Sequence, residues 1–182
     1  MKDEIRLTSI AALLVSEVQR ERSAGVAEIT LSSALYLADW WCALTRGERL
    51  VSYDGYGGRQ VDWLASRAPF FTHTIERHLA SNLFFKTVGV GLGHVTRFRI
   101  DESWRDHIEI NDYEKKMADF ILEKTNKLNS ERIKAIVLGT QPLSASTVYE
   151  HLDLVRSAKE FHDANPSPSK ITPNPISLST FN

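Results

Sequence analysis

The sequence predicts an α+β fold, mainly helical, in which one domain surrounds a central apolar helix and carries a small antiparallel β-hairpin or sheet. Three observations point that way. Residues 31–44 are apolar on nearly every face of a helix, which marks a buried central element. Several other stretches repeat apolar residues at intervals of three and four. One region, 83–100, changes to β-branched and aromatic arms around a glycine-rich turn.

In chain order, Leu7, Ile10, Leu14 and Val18 give one helical stripe over residues 5–22, with Glu17, Arg20 and Glu21 on the wet side. Ser23-Ala24-Gly25 breaks it. The central helix is expected from about Thr30 to Arg46, with Gly47 as its C-terminal stop. Asp39 is the carboxylate in that apolar helix and must find a donor or reach solvent. Residues 50–53 read as a short extended piece, followed by the Gly55-Tyr56-Gly57-Gly58 turn. Short helices are expected over 59–66, stopped before Pro69, and over 71–80.

The hairpin comprises 83–88 and 95–100 around Gly89-Val90-Gly91-Leu92-Gly93-His94, with Phe98 and Ile100 opposite Arg97 and Arg99. Helices follow at 112–126 (Met117, Phe120, Ile121, Lys124), at 130–139 with Glu131 near its start, and at 149–162 (Leu152, Val155 and Ala158 or Lys159). Pro142 marks a loop. The predicted domain covers residues 1–164. Residues 165–182 hold four of the six prolines and several serines without periodicity, which predicts a disordered or surface-draped tail.

Charge and composition narrow the function classes. Lys and Arg total 22 against 23 Asp and Glu, a net charge of −1, so no nucleic acid is expected as the main partner. The one basic cluster, Arg97, Arg99 and Arg105, is diluted by Asp101, Glu102 and Asp106 and reads as solvated surface. The start Met1-Lys2-Asp3-Glu4 and the short apolar stretch 10–15 predict no secretory leader, and no run is long enough to span a bilayer. A cytoplasmic location, away from membranes, is expected. The lone Cys42 can form neither an internal disulfide nor a thiolate-rich zinc site, and in an apolar helix it reads as inert packing.

No catalytic motif emerges. The Gly89-x-Gly91-x-Gly93 run is followed by a strand rather than a helix and lacks either phosphate-loop spacing, so it reads as a hairpin turn. The six histidines are scattered, and His73 and His78 are five apart rather than on one helix face. There is no serine nucleophile elbow. Carboxylates that converge in space would escape this kind of reading, and none is singled out. Trp40-Trp41 are about 100° apart on the helix; the core claims one, and the other reaches the helix edge as a core residue or an interface anchor. The expectation is therefore a binding protein that is not an enzyme and needs neither cofactor nor metal. Its contact residues are placed around the glycine turn, at Tyr53, Tyr56, Arg59 and Asp62, where aromatic and guanidinium groups offer area and hydrogen bonds. Tyr56 packing the turn onto the core is the competing reading. If the placement holds, Tyr56→Ala with Arg59→Glu abolishes partner binding in a folded protein, as a titration of the double variant would read.

Leu35-Tyr36-Leu37-Ala38-Asp39, the stop at Gly47, the extended 50–53, Tyr56-Gly57-Gly58, Leu138-Gly139-Thr140-Gln141-Pro142 and the segment from Leu152-Asp153-Leu154 to Phe161 together resemble the Panacea, or SocA-like, antitoxin domain in order and spacing over about residues 5–162. Where that family has a proline after the turn glycine, this chain has Gly58. The resemblance implies a prokaryotic or phage antitoxin that neutralises a cognate toxin by direct protein contact. Its alternative implication is a protease adaptor, or a regulatory binding protein of a phage or mobile element, with a protease or chaperone as partner.

Overall fold

A computed structural model of the chain describes residues 6–21, 24–52, 59–60, 63–65, 70–71, 84–88 and 96–166; for 51–52, 59–60, 70–71 and 84–88 it describes the backbone. It has the expected class, a mainly helical α+β arrangement. Helix α1 (Leu7–Gln19) buries Leu7, Ile10, Leu14 and Val18, the stripe read from the sequence. Helix α2 (Glu28–Arg46) starts two residues earlier than expected and ends at Gly47, whose φ of 67° and N–H to the Ala43 carbonyl (3.0 Å) make the left-handed stop. Against α2 pack α1, α3 (Asp112–Lys124), α4 (Ser130–Leu138) and α6 (Leu154–Ala164). Its buried Leu31, Leu35, Tyr36, Leu37 and Trp40 therefore sit at the centre of the core. Among the described residues, no helix is long and apolar enough to cross a membrane.

The hairpin is present as β6 (Phe84–Val88) and β7 (Thr96–Ile100), antiparallel, with Phe84 opposite Ile100 and Val88 opposite Thr96. Phe98 and Ile100 are buried and Arg99 is exposed, as the alternation requires. Residues 89–95 lie outside the described residues. A third strand, β1 (Val26–Ala27), pairs with the other edge of β7, so the sheet order is β1-β7-β6. Gly25 permits that pairing. Its φ is 71°, and a Cβ there would lie 2.6 Å from the Phe98 carbonyl oxygen. Two residues are too few to show alternation, so β1 had no sequence signature beyond the glycine.

Four expectations are corrected. The described residues of the expected helix 59–66 are strand instead: β3 (Arg59–Gln60) pairs with β2 (Val51–Ser52), and β4 (Trp63–Leu64) pairs with β5 (Phe70–Phe71). Tertiary pairing overrides a weak local helix preference there. Phe71 is accordingly a strand residue rather than a helix start, and 72–80 lie outside the described residues. Pro142 opens a short helix, α5 (Gln141–Ala145), from its first turn, where a missing N–H costs nothing. The last helix begins at Leu154, not Tyr149, because the Asp153 carboxylate caps it by accepting the Arg156 N–H at 3.0 Å. Leu154 and Ala158 face the core, while Val155 faces out. A 3-10 turn at Glu102–His107, capped by Asp101, has no counterpart in the sequence reading. The tail 167–182 lies outside the described residues.

Caps and turns fix the helical layer. Asn111 and Glu114 form a reciprocal capping box on α3, and the buried Glu114 also accepts the Arg6 N–H at 2.9 Å, closing the start of α1 onto it. Between α3 and α4, Asn126, Lys127 and Leu128 all adopt left-handed backbone, with φ of 50°, 53° and 59°. That conformation costs about 1–2 kcal/mol per non-glycine residue. It is offset by burial of the Leu128 side chain and by the N–H groups of Lys127 and Asn129, which reach the Leu122 and Thr125 carbonyls at 2.7 and 2.9 Å.

Candidate functional site

The densest polar construction lies beside α2. Asp39 is fully buried, one turn after Tyr36 on the same helix face. Its Oδ2 accepts Arg49 Nε at 2.8 Å, Arg49 Nη2 at 2.7 Å and the Trp63 indole N–H at 2.7 Å. Its Oδ1 accepts the Leu50 backbone N–H at 2.8 Å. The expectation that Asp39 finds a donor is met four times over. The Gly47 stop turns the chain so that Arg49 and Leu50 return to the helix that preceded them. The carboxylate thereby joins α2 to the segment entering β2 and to β4, in the charge-assisted geometry that a buried ion requires.

A second buried contact spans the chain. The Tyr36 hydroxyl lies 2.7 Å from Thr140 Oγ1, and Thr140 donates its own proton to the Val137 carbonyl at 2.7 Å. Tyr36 is therefore the donor in the pair. Its ring meets Trp63 edge-on at 5.5 Å between centroids, which brings Tyr36, Asp39, Trp63 and Thr140 into one cluster. Burial holds the Tyr36 phenol far above the usual tyrosine range, and the neighbouring Asp39 charge adds to the shift.

On the other side of α2, burial likewise pushes half-buried Tyr113 up to about 12. Its hydroxyl pairs with Thr45, and Arg46 stacks 3.8 Å above its ring. Both tyrosines have folded values above the unfolded 10.0, so the native state keeps protons that the unfolded chain releases. The tyrosine contribution is complete below pH 10 and is lost as pH rises through 10 to about 12, while the buried Cys42 thiol, raised from an unfolded 9.0, starts the fall about one unit earlier. Denaturant midpoints measured across that window should drop, and Tyr113→Phe should flatten part of the fall. A midpoint independent of pH there would contradict the assignment.

The other sequence candidates divide. Cys42 is buried against Met117, its sulfur 3.9 Å from the Met117 sulfur. Burial, and after it the Asp39 charge, raise its thiol far above the reactive range. Trp40 is core, edge-on to Phe161, while Trp41 is half-buried against Phe120 at 4.3 Å. His162 places Nε2 2.9 Å from the Leu44 carbonyl, and His107 and His151 are exposed. Among the described residues, no group of three His, Cys, Asp or Glu side chains is placed to hold a metal. In the basic cluster, Arg99 is exposed and Arg97 approaches the Gly25 carbonyl at 3.4 Å. Arg105 departs from a plain solvated residue, because its Nε and Nη2 are buried without a hydrogen-bond partner. Of the expected contact residues, Tyr53, Tyr56 and Asp62 lie outside the described residues, and Arg59 is described only as backbone of β3.

One exposed feature grows out of the buried cluster. The backbone after Trp63 pairs with residues 149–152: Tyr149 N–H to the Ala65 carbonyl (2.7 Å), Ala65 N–H to the Glu150 carbonyl (2.8 Å) and Leu152 N–H to the Trp63 carbonyl (2.9 Å). Residues 147–150 close a turn in which Glu150 Oε2 accepts the Thr147 N–H at 2.9 Å and its hydroxyl at 3.1 Å. These bonds hold the Glu150 carboxyl below its ordinary range. At the tip, Val148 is 67% and Tyr149 71% exposed, and Tyr149 adopts a φ of 68°. A tyrosine resists that conformation by about 1–2 kcal/mol. Neither residue stands out in the sequence, where 149–162 reads as helix. The signals that locate the turn are Thr147-x-x-Glu150 and Asp153 as a helix cap. No family model, no curated protein and no solved structure matches the chain.

Proposed function

We propose that this chain is an antitoxin of the Panacea, or SocA-like, kind, a binding protein without catalysis of its own that neutralises a toxin by direct contact. The observation that carries the reading is the meeting of Tyr36 and Thr140. They come from an early and a late segment of the resemblance, 104 residues apart, and share a buried hydrogen bond of 2.7 Å. Asp39, from the same motif as Tyr36, is buried beside them with four donors. The residues that carry the resemblance thus frame the fold, which leaves the surface free to vary with the partner. A scaffold of that kind suits a family whose members meet unrelated toxins.

The test is growth rescue by this chain when the product of the adjacent gene is expressed, together with copurification of the two proteins. Rescue with a stable complex is the expected result. Rescue without a complex would instead favour delivery to a protease, and a harmless neighbour that does not bind would end the antitoxin reading.

A further inference from the structure

Single exposed apolar side chains are ordinary on protein surfaces. The pair at the 147–150 turn differs because its backbone is fixed. Five hydrogen bonds, two from Thr147 to the Glu150 carboxylate, one from Glu150 N–H to the Thr147 carbonyl and two to Ala65, hold Val148 and Tyr149 outward. Trp63, on the strand that leads into Ala65, is bonded to the buried Asp39, so the turn is tied to the buried polar cluster beside α2. A turn whose backbone is already fixed loses little main-chain freedom on binding, which lowers the ordering cost of docking. The flanks carry negative charge. Glu150 and Asp153 are exposed, and their carboxylates accept backbone N–H groups, while the nearest cation in sequence, Arg156, is engaged by Glu160 at 2.8 Å.

We infer that Val148 and Tyr149 form the docking tip of this protein, inserting into an apolar pocket with a basic rim on the protein partner. This rests on the binding function proposed above and names the surface that performs it. An acidic rim on the partner would be repelled by Glu150 and Asp153, whereas a basic one would be steered onto the tip. The positive φ of Tyr149 separates a binding role from a folding role, since glycine prefers that backbone and tyrosine does not.

The experiment uses the full chain and the purified product of the adjacent gene. Tyr149→Gly should leave the melting temperature unchanged or higher while weakening the complex roughly thirtyfold. Tyr149→Phe should stay within about threefold of wild type, since ring area dominates such anchors. Glu150→Gln with Asp153→Asn keeps the turn and cap acceptors but removes both charges. It should slow association several-fold and reduce its dependence on salt. Full binding by a folded Tyr149→Gly variant overturns the docking tip and leaves the antitoxin reading intact. A Tyr149→Gly variant that melts lower and binds more weakly also overturns it, because the ring then serves the fold. Unaltered salt dependence in the charge variant removes the basic rim. Failure of the wild-type chain to bind the neighbour overturns both the antitoxin reading and the tip.

Discussion

Replacing Asp39 with alanine should lower the stability of the native state by about 3–5 kcal/mol, enough to unfold much of a marginally stable population. The loss comes from what remains behind. The Arg49 guanidinium, with only 8% of its side chain exposed, loses the buried carboxylate that accepts both its Nε and its Nη2. The Leu50 N–H and the Trp63 indole N–H lose their acceptor in the same interior. Each orphaned buried donor costs about 1–3 kcal/mol, and a charged one costs more. Asp39→Asn should be milder, because the amide oxygen still accepts, yet it removes the negative charge that the guanidinium faces. Adding Arg49→Met to Asp39→Ala should recover part of the loss and not all of it, since two neutral donors stay unpaired. Denaturant midpoints of the three variants form the test, and with Arg49→Met alone as a fourth a double-mutant cycle isolates the pair. A midpoint shift below about 1 kcal/mol for Asp39→Ala would show that the cluster relaxes around the missing carboxylate.

Gly25→Val should cost about 3 kcal/mol by a different route. A Cβ at position 25 would sit 2.6 Å from the Phe98 carbonyl oxygen and 2.7 Å from Arg99 Cγ. The first of these is backbone of the central strand and cannot step aside without breaking the ladder. The φ of 71° adds the left-handed penalty, which is largest for a β-branched residue. The expected result is loss of the β1 pairing at Val26 and Ala27, read as faster amide hydrogen exchange at those residues and at Phe98, with a lower melting temperature. Slow exchange retained in the variant would show that the pairing survives. Gly47 offers the control. Its φ is 67° and a Cβ there would meet no atom within 4 Å, so Gly47→Ala carries only the backbone cost of about 1 kcal/mol.

The helices were legible where the chain carries repeated apolar offsets and a stop of known chemistry. Leu7 to Val18, the all-apolar α2 with Gly47 after it, and Met117 with Ile121 are of this kind, and Asp39 announced its own need for a donor. The identity of those donors was not legible. Arg49 reaches Asp39 only because Gly47 reverses the chain, and Trp63 arrives on a strand that the local sequence presents as helix. Two-residue strands such as Val26–Ala27 and Trp63–Leu64 have no period to read; their backbone groups are satisfied by partners elsewhere in the sequence. The candidate site was least legible of all. Tyr53, Tyr56 and Asp62 fall outside the described residues. Tyr149 is absorbed into an expected helix because Leu152, Val155 and Ala158 keep helical spacing, whereas the Asp153 cap starts that helix later.

The bonds that finish the core join the first quarter of the chain to the last half. Arg6 waits for Glu114, Gln19 for Ile100, and Tyr36 for Thr140, with separations of 108, 81 and 104 residues. A ribosome adds about 5–20 residues per second, so Thr140 is added roughly 5–20 s after the last residue of α2. During that interval the most apolar helix of the protein has nothing to pack against but α1 and the incipient sheet. Long-range closure of this sort also slows folding once synthesis ends. Until the C-terminal half of the chain arrives, the apolar surface of α2 is left largely uncovered, and refolding of the full-length chain must close the same long loops before that surface is buried.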